Sequence, residues 1–238
     1  MEIPALRTLW TTCFDNEDGW IDSFFATAFD PNHVRTLNRQ GRLAAALCWM
    51  NVSCQGRKLA YLYAIATAPE FRRQGLCREL MGLAHEKLSE QGYAGTILVP
   101  ADAGLRRMYG EMDYVNFGGI REITARAGKP CSIRQISPEE YAAARRGRLP
   151  RGGLVQEHGA IAYLAAGAKL YAGTDFLLAM SGDFGVELLG NMDATPGILG
   201  ALGLKEGTFR VPGDRPFAMF RSLTGDRWMP SYFGLAFE

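Results

Sequence analysis

Two arginines and a glycine stand between a predicted strand and a predicted helix, in the segment Arg72-Arg73-Gln74-Gly75-Leu76-Cys77. The first amides of a helix have no partner inside the helix, and the helix dipole adds about half a positive charge at that end. A glycine allows close backbone approach, and the arginines add positive charge. The segment therefore predicts a pyrophosphate site. A plain turn with two solvated arginines is the alternative interpretation.

The neighbouring segments predict the elements that would position this turn. Residues 59–66 form an unbroken apolar run, which is typical of a strand buried on both faces. Pro69 should end the strand, because proline cannot donate to a ladder. Leucines then recur at helical spacing from Leu76 to Leu88, and Gly92 stands at the usual C-terminal place. The pattern predicts strand, basic turn and helix in succession.

The same segment resembles the cofactor motif of the GNAT N-acetyltransferase superfamily. That motif follows an apolar strand with Pro, an acidic or polar residue, an aromatic residue, and Arg-x-x-Gly-x-Gly/Ala at the start of a helix. Here it stands as Pro69-Glu70-Phe71-Arg72-Arg73-Gln74-Gly75-Leu76-Cys77, with Cys77 at the second small position. The resemblance implies acetyl-CoA (coenzyme A) as co-substrate and no metal. It also implies that the pantetheine arm binds the backbone of Ile65, Ala66 and Thr67.

A second motif covers residues 100–114, which resemble the last helix of the same family and its Tyr-x-x-x-Gly-Tyr ending. Asp113 stands at the usual glycine. The match is with tandem GNAT proteins, including acetyltransferases of the enhanced-intracellular-survival type. A phenol with a pKa of about 10 can protonate the thiolate that leaves an acetyl thioester. The resemblance therefore implies that Tyr109 is the catalytic acid. A half-buried structural tyrosine is the alternative.

The order of the remaining elements also resembles that family. Residues 4–29 predict two short helices, and strands are expected at 33–38, 42–54, 95–99 and 115–126. We therefore expect an α/β (α+β) GNAT fold with a mixed, mostly antiparallel sheet flanked by helices. The acidic join Asp15-Asn16-Glu17-Asp18-Gly19 borders the acceptor site in that family and would suit a cationic amine. Carboxylates that complement a helix N-terminus are the alternative.

Residues 127–130 read as a boundary, which gives a catalytic domain at 1–126 and a degenerate GNAT-like half at 131–238. The second half predicts a strand at 131–136 and helices at 157–170 and 196–204. Further strands are expected at 176–180, 185–189, 207–211, 216–222 and 231–237. A helix should start at Ser137-Pro138. The run 145–151 reads as a basic loop that either attracts an acidic group or is simply solvated.

Two features of the second half bear on function. Residues 190–196 lack Arg-x-x-Gly-x-Gly, so this half should hold no cofactor and should instead form a wall of the acceptor pocket. The tail, residues 231–238, alternates aromatic and small residues, which predicts a packed strand. The tandem acetyltransferases that it resembles use a terminal carboxylate to accept the proton of the amine, which implies this role for Glu238. A strand that only completes the second sheet is the alternative.

Composition narrows the class of protein. The 238 residues include 47% hydrophobic and 21% charged ones, and 26 basic against 25 acidic residues give a net charge of +1. Nothing there favours nucleic acid or a membrane surface as a partner. The five cysteines include no CxxC pair, which fits a reducing compartment. The sequence also has no apolar run of about 18 residues and no signal-peptide pattern. Together these features predict a cytoplasmic protein.

The sequence thus predicts an acetyl-CoA-dependent N-acetyltransferase that transfers an acetyl group directly to a primary amine of a small molecule or peptide. A non-catalytic acyl-CoA-binding or regulatory protein is the alternative, and a purely structural protein is a third interpretation. The sequence does not determine the acceptor, the length of the acyl chain or the general base. It also leaves the oligomeric state open, and a homodimer is one alternative.

Overall fold

A computed structural model describes residues 2–14 and 19–237 of the chain. The first half of this described chain contains four α-helices and five strands. In chain order they are α1 (Ile3–Cys13), α2 (Trp20–Thr27), β1 (Val34–Arg39), β2 (Arg42–Cys54), β3 (Arg57–Thr67), α3 (Leu76–Glu90), β4 (Gly95–Leu98), α4 (Ala103–Gly110) and β5 (Val115–Arg126).

The second half adds three α-helices and seven strands to the described chain. They are β6 (Arg134–Gln135), α5 (Pro138–Arg148), β7 (Val155–Gln156), α6 (Gly159–Gly167), β8 (Lys169–Ala172), β9 (Phe176–Ser181), β10 (Phe184–Gly190), α7 (Thr195–Leu202), β11 (Glu206–Pro212) and β12 (Arg215–Ser222). No helix in the described ranges is long and apolar enough to cross a membrane.

All twelve strands belong to one sheet, in the order β1-β2-β3-β4-β12-β5-β11-β10-β9-β8-β6, with β7 paired to β2. Neighbours are antiparallel except for the parallel pairs β3–β4 and β10–β11. Helices flank the sheet. The predicted mixed, mostly antiparallel α/β sheet is confirmed.

Strand β5 lies in the middle of the sheet and pairs with a different strand on each side. Its residues 115–120 pair with β12, and its residues 120–126 pair with β11, on the opposite side. Gly213 and Asp214 carry the chain across β5 between these two strands. The Gly213 N–H donates to the Gly119 carbonyl (3.1 Å). A Cβ on Gly119 would lie 2.2 Å from the Gly213 carbonyl oxygen, so the crossing requires glycine there. Strand β12, from residues 131–238, therefore sits beside β4, from residues 1–126.

The hydrophobic core follows this layout. Buried side chains of α1, such as Leu6 and Trp10, belong to one continuous cluster with the sheet and with Phe233 and Leu235 of the tail. A smaller cluster fills the space between α7 and the strands β9 to β11. The tail is therefore part of the main core, as its aromatic pattern predicts.

Three expectations about the second half are wrong in detail. The strand expected at 131–136 is only two residues long in β6, and the helix expected at 157–170 spans only α6. The tail is packed but extended without regular pairing, apart from one bridge between Gly153 and Tyr232. Hydrogen bonds of its side chains and backbone, rather than a ladder, hold it in place.

The basic run at 145–151 is a loop only in its last three residues, because its first four residues end helix α5. Arg145 is only 1% exposed, and its guanidinium donates to both carboxylate oxygens of Glu187 (Nε–Oε2 2.6 Å, Nη2–Oε1 2.9 Å). The hydroxyls of Tyr141 and Tyr232 donate to the same carboxylate at 3.2 and 3.0 Å. A buried, hydrogen-bonded ion pair therefore joins α5, β10 and the tail.

Candidate active site

A gap opens between β3 and β4. Their parallel pairing runs only from Leu59↔Gly95 to Tyr61↔Ile97, although β3 continues to Thr67. Opposite β2, the register of β3 shifts between Ala66 and Tyr63, and Ala64 has a φ of +50°. A bulge of this kind bends its strand, and it lies in the part of β3 where the pairing with β4 has ended. The predicted segment Ile65, Ala66 and Thr67 thus lies where β3 has no β4 partner.

The gap leads into a cavity of about 1140 Å³. Residues 61–65 of β3, residue 98 at the end of β4, residues 99–101 after it and Tyr109 of α4 line one part of it. Residues 163, 164, 166 and 167 of α6, residue 168 after it, Arg210 of β11 and Phe237 of the tail line the other part. Both halves of the chain therefore enclose the same cavity. Of the predicted site residues, Ile65 and Tyr109 line it.

Tyr109 is held at the end of α4. Its carbonyl accepts hydrogen bonds from the N–H groups of Met112 and Tyr114, at 2.9 and 3.2 Å. Asp113 has a φ of +64°, so it adopts the left-handed conformation of the glycine that it replaces. The Tyr109 side chain is 6% exposed, and burial raises the pKa of its hydroxyl. Tyr109 therefore keeps its proton at neutral pH.

The predicted phosphate turn lies at the surface beside the end of β3. Gly75 is the N-cap of α3, has a φ of +78°, and makes no side-chain capping bond. A Cβ at Gly75 would meet no atom within 4 Å, so the space in front of the first helical amides is open. Arg72, Arg73 and Gln74 are exposed, whereas Leu76 is buried and Cys77 is half-buried. These features fit a bound pyrophosphate.

The turn is tied to β3 by its own side chains. The Nε of Arg72 donates to the Thr67 carbonyl at 3.1 Å, and the Cys13 thiol contacts the same oxygen at 3.4 Å. Ala66 is buried. Ala66, Thr67 and residues 72–77 are not among the residues that line the cavity. The structure thus places the predicted site residues in two groups, at the cavity and at the adjoining turn.

Two predicted groups of acidic residues cannot be placed. Glu238, the implied base, lies outside the described residues, as do Asp15, Glu17 and Asp18 of the acidic join. The described chain stops at Phe237, which lines the cavity, and Phe14 lines it as well. The residues that precede each of these groups are therefore at the cavity.

An aromatic wall, formed by Trp20, Tyr63, Tyr163 and Phe237, was not predicted from the sequence. The Trp20 and Tyr63 ring centroids are 5.8 Å apart, and those of Tyr163 and Phe237 are 4.9 Å apart. The hydroxyls of Tyr63 and Tyr163 lie 3.0 Å from each other. Four distant segments supply these rings, so no local motif could reveal them.

Arg210 is a second cavity residue without a sequence signal. It is 6% exposed, and its guanidinium carbon lies 4.4 Å from the ring centroid of Phe217 and 5.4 Å from that of Phe184. These contacts fit cation–π geometry. Arg210 is the one charged side chain among the described residues that line the cavity.

Comparisons with known proteins agree with this geometry. A sequence model described as the acetyltransferase (GNAT) domain matches residues 1–115. No curated protein matches the chain in sequence. A GCN5-related N-acetyltransferase from Kribbella flavida is similar in structure with a TM-score of 0.66 and 17% identity, over 92% of this chain and 68% of that one.

Two further solved structures are similar. Eis1 from Mycobacterium abscessus superposes with a TM-score of 0.60 and 13% identity, over 87% of this chain and 71% of that one. A tandem GNAT protein from the clavulanic acid biosynthesis pathway superposes with a TM-score of 0.50 and 13% identity, over 86% of this chain and 87% of that one. Residues 1–115 thus match the model of the GNAT acetyltransferase domain, and the described chain has the GNAT fold. Acyl transfer from acetyl-CoA is the reaction of this family.

Proposed function

We propose that the chain is an acetyl-CoA-dependent N-acetyltransferase that transfers the acetyl group directly to a primary amine. One observation carries the proposal: a single cavity joins the opened β3–β4 gap, the Tyr109 side chain and a wall from the second half. Such a cavity can hold a thioester and an amine together, and proximity of the two reactants supplies much of the rate enhancement in such reactions.

The proposed cofactor site runs from the turn to the cavity. Residues 72–77 would bind the pyrophosphate, with the amides of Gly75, Leu76 and Cys77 at the helix start. The backbone of Ile65, Ala66 and Thr67, which lacks a β4 partner, would bind the pantetheine arm. An amide of this stretch would polarise the thioester carbonyl.

Tyr109 is the proposed general acid. It lines the cavity, and its buried hydroxyl keeps its proton at neutral pH because burial raises its pKa. The thiolate that leaves the thioester would take this proton.

Glu238 is the proposed base that accepts the proton of the amine. The support is that Phe237, its neighbour, lines the cavity and packs 4.9 Å from the Tyr163 ring. Deletion of Phe237 and Glu238, and separately a short tag appended after Glu238, should both lower turnover while acetyl-CoA affinity holds. If the tag leaves turnover unchanged, the base lies elsewhere, and Asp15, Glu17 and Asp18 are tested next.

The second half, residues 131–238, would form a wall of the acceptor pocket and bind no cofactor. Each chain should therefore bind one acetyl-CoA in calorimetry. A stoichiometry of two would contradict this role.

The decisive experiment follows free thiol release from acetyl-CoA with a panel of primary amines, together with calorimetric binding of acetyl-CoA. Binding together with amine-dependent thiol release supports the proposal. Binding without thiol release from any amine favours a non-catalytic acyl-CoA-binding protein, and the absence of binding favours a structural role.

A further inference from the structure

The lining of the cavity restricts the acceptor. We infer that the acceptor is a monoamine carried on an aromatic or apolar body, and that the paired hydroxyls of Tyr63 and Tyr163 bind its amino group. The inference rests on the proposed N-acetyltransferase function and narrows its substrate class.

The aromatic wall provides the surface for such a body. Around Tyr63, the ring centroids of Trp20, Tyr163 and Phe237 lie at 5.8, 6.1 and 6.2 Å. The contacts are edge-on, with interplanar angles of 64° to 82°. Rings packed edge to face present both faces and edges to a guest, and aromatic guests prefer offset or edge-on contacts of this kind.

The hydroxyl pair provides the polar end. At an O–O distance of 3.0 Å, one tyrosine donates to the other. The donating oxygen keeps its lone pairs, and the accepting oxygen keeps one lone pair and its own proton. The pair can therefore accept a hydrogen bond from an amine N–H while both phenols stay neutral. Burial raises the pKa of both hydroxyls, which keeps them in this form.

The position of the pair fits the reaction. Tyr63 directly precedes the bulged residue Ala64 in β3, at the start of the gap that would hold the thioester arm. Tyr163 reaches the same point from α6 of the second half. An amine bound to the pair therefore faces the gap from the acceptor side. The second half then contributes directly to acceptor binding.

Charge argues against a polycationic acceptor. The described residues that line the cavity include Arg210 and no aspartate or glutamate. The proposed base, Glu238, is assigned to the reacting amine, so a second or third ammonium group would lose its water against these apolar and aromatic side chains and beside the cationic Arg210. A single amine fits better, because an apolar environment favours the neutral amine, which is the form that attacks the thioester.

The substrate test compares three amines at saturating acetyl-CoA: 2-phenylethylamine, ethylamine and spermidine. We expect kcat/KM for 2-phenylethylamine to exceed that for each of the others by about tenfold or more, since a buried aromatic ring contributes at least 1.4 kcal/mol. Equal or higher kcat/KM for spermidine or ethylamine would overturn the inference and leave the proposed function standing. No thiol release with any amine would overturn the proposed function itself.

The residue test uses Tyr163→Phe, which keeps the ring and removes the hydroxyl. We expect KM for 2-phenylethylamine to rise about three- to tenfold, as for one lost hydrogen bond, with KM for acetyl-CoA unchanged. Tyr171→Phe, in β8 and outside the cavity lining, is the matched control and should change neither constant. An unchanged amine KM, or an equal rise in both KM values, would contradict the assignment. If Tyr163→Phe lowers the unfolding temperature, Tyr63→Phe replaces it, with the same rise expected in the KM for 2-phenylethylamine and no change in the KM for acetyl-CoA.

Discussion

Nε2 of His85 lies 2.9 Å from the hydroxyl of Tyr114. The same hydroxyl lies 2.7 Å from Oγ1 of Thr96, so this buried chain of hydrogen bonds fastens α3 to β4. Because α3 begins at the proposed phosphate turn, the contact fixes that turn relative to the gap. His85 is 7% exposed. Burial, with a smaller effect of Arg221, lowers the pKa of its imidazole to about 4.

This lowered pKa predicts acid sensitivity. Between about pH 6.5 and pH 4 the unfolded chain binds a proton at His85 and the folded chain does not. The free energy of unfolding therefore has its full contribution from His85 above about pH 6.5 and decreases as the pH falls from 6.5 to 4. Below about pH 4, His85 causes no further decrease. The loss should reach on the order of 3 kcal/mol in urea unfolding measured across this range.

His85→Gln tests the assignment, because glutamine cannot titrate in this window. The variant should lose this component of the pH dependence, whereas the wild-type slope should persist in His158→Gln, whose side chain is exposed. A slope that survives in His85→Gln would mean that other groups titrate in the window.

Acetyl-CoA binding should depend on Gly75. Gly75→Glu places bulk and negative charge in the open space before the α3 amides, where the pyrophosphate would sit. Calorimetry should detect no acetyl-CoA binding by a variant that remains folded by circular dichroism.

Two controls separate charge from backbone strain in that experiment. Gly75→Ala shares the cost of a positive φ, about 1–2 kcal/mol, but adds no charge, so it should retain most of the affinity. Gly82→Glu adds the same charge in the middle of α3, where a Cβ meets nothing within 4 Å, and should bind normally. Normal binding by Gly75→Glu would show that the phosphate site is misplaced.

Tyr109→Phe should separate catalysis from binding. The ring keeps its packing, so the Kd of acetyl-CoA should hold, while loss of the acid should lower kcat by roughly 10² to 10⁴. Stopped-time thiol assays measure kcat, and Tyr171→Phe serves as the control that removes a distant hydroxyl. An undiminished kcat would make Tyr109 a packing residue.

Glu187→Gln should destabilise the fold strongly, because it leaves the buried Arg145 guanidinium without its counter-charge. Loss of one partner of a buried ion pair costs about 3–5 kcal/mol. Glu122→Gln breaks the exposed pair with Arg215 (3.0 Å) and should cost no more than about 1 kcal/mol. Urea unfolding compares the two. Similar small losses in both variants would mean that the buried network contributes little to stability.

Local sequence predicts the parts of the site that lie close together in the chain. The apolar run, Pro69 and the glycine turn predict β3 and α3, because each signal acts over a few residues. Arg145 misled the prediction because a run of arginines usually marks a solvated loop. Its partner, Glu187, lies in a different strand and carries no local signal.

The tail shows the same limit. Alternation of aromatic and small residues predicts burial of Tyr232 and Phe233, and both are buried. It cannot predict that Glu187 binds the Tyr232 hydroxyl, nor that Gly234 must lack a Cβ because that hydroxyl would lie 2.1 Å away. The Tyr63–Tyr163 pair likewise depends on the relative placement of the two halves.

The position of β12 between β4 and β5 sets the order in which the molecule can be completed on the ribosome. Strands β4 and β5 leave the ribosome with open edges, because the strand that joins them ends only at Ser222. At 5–20 residues per second, synthesis of residues 127–222 takes roughly 5–20 s. During this time the open edges can pair with other chains. The half that is synthesised first, with the proposed cofactor turn, is therefore closed only by one of the last segments to be made.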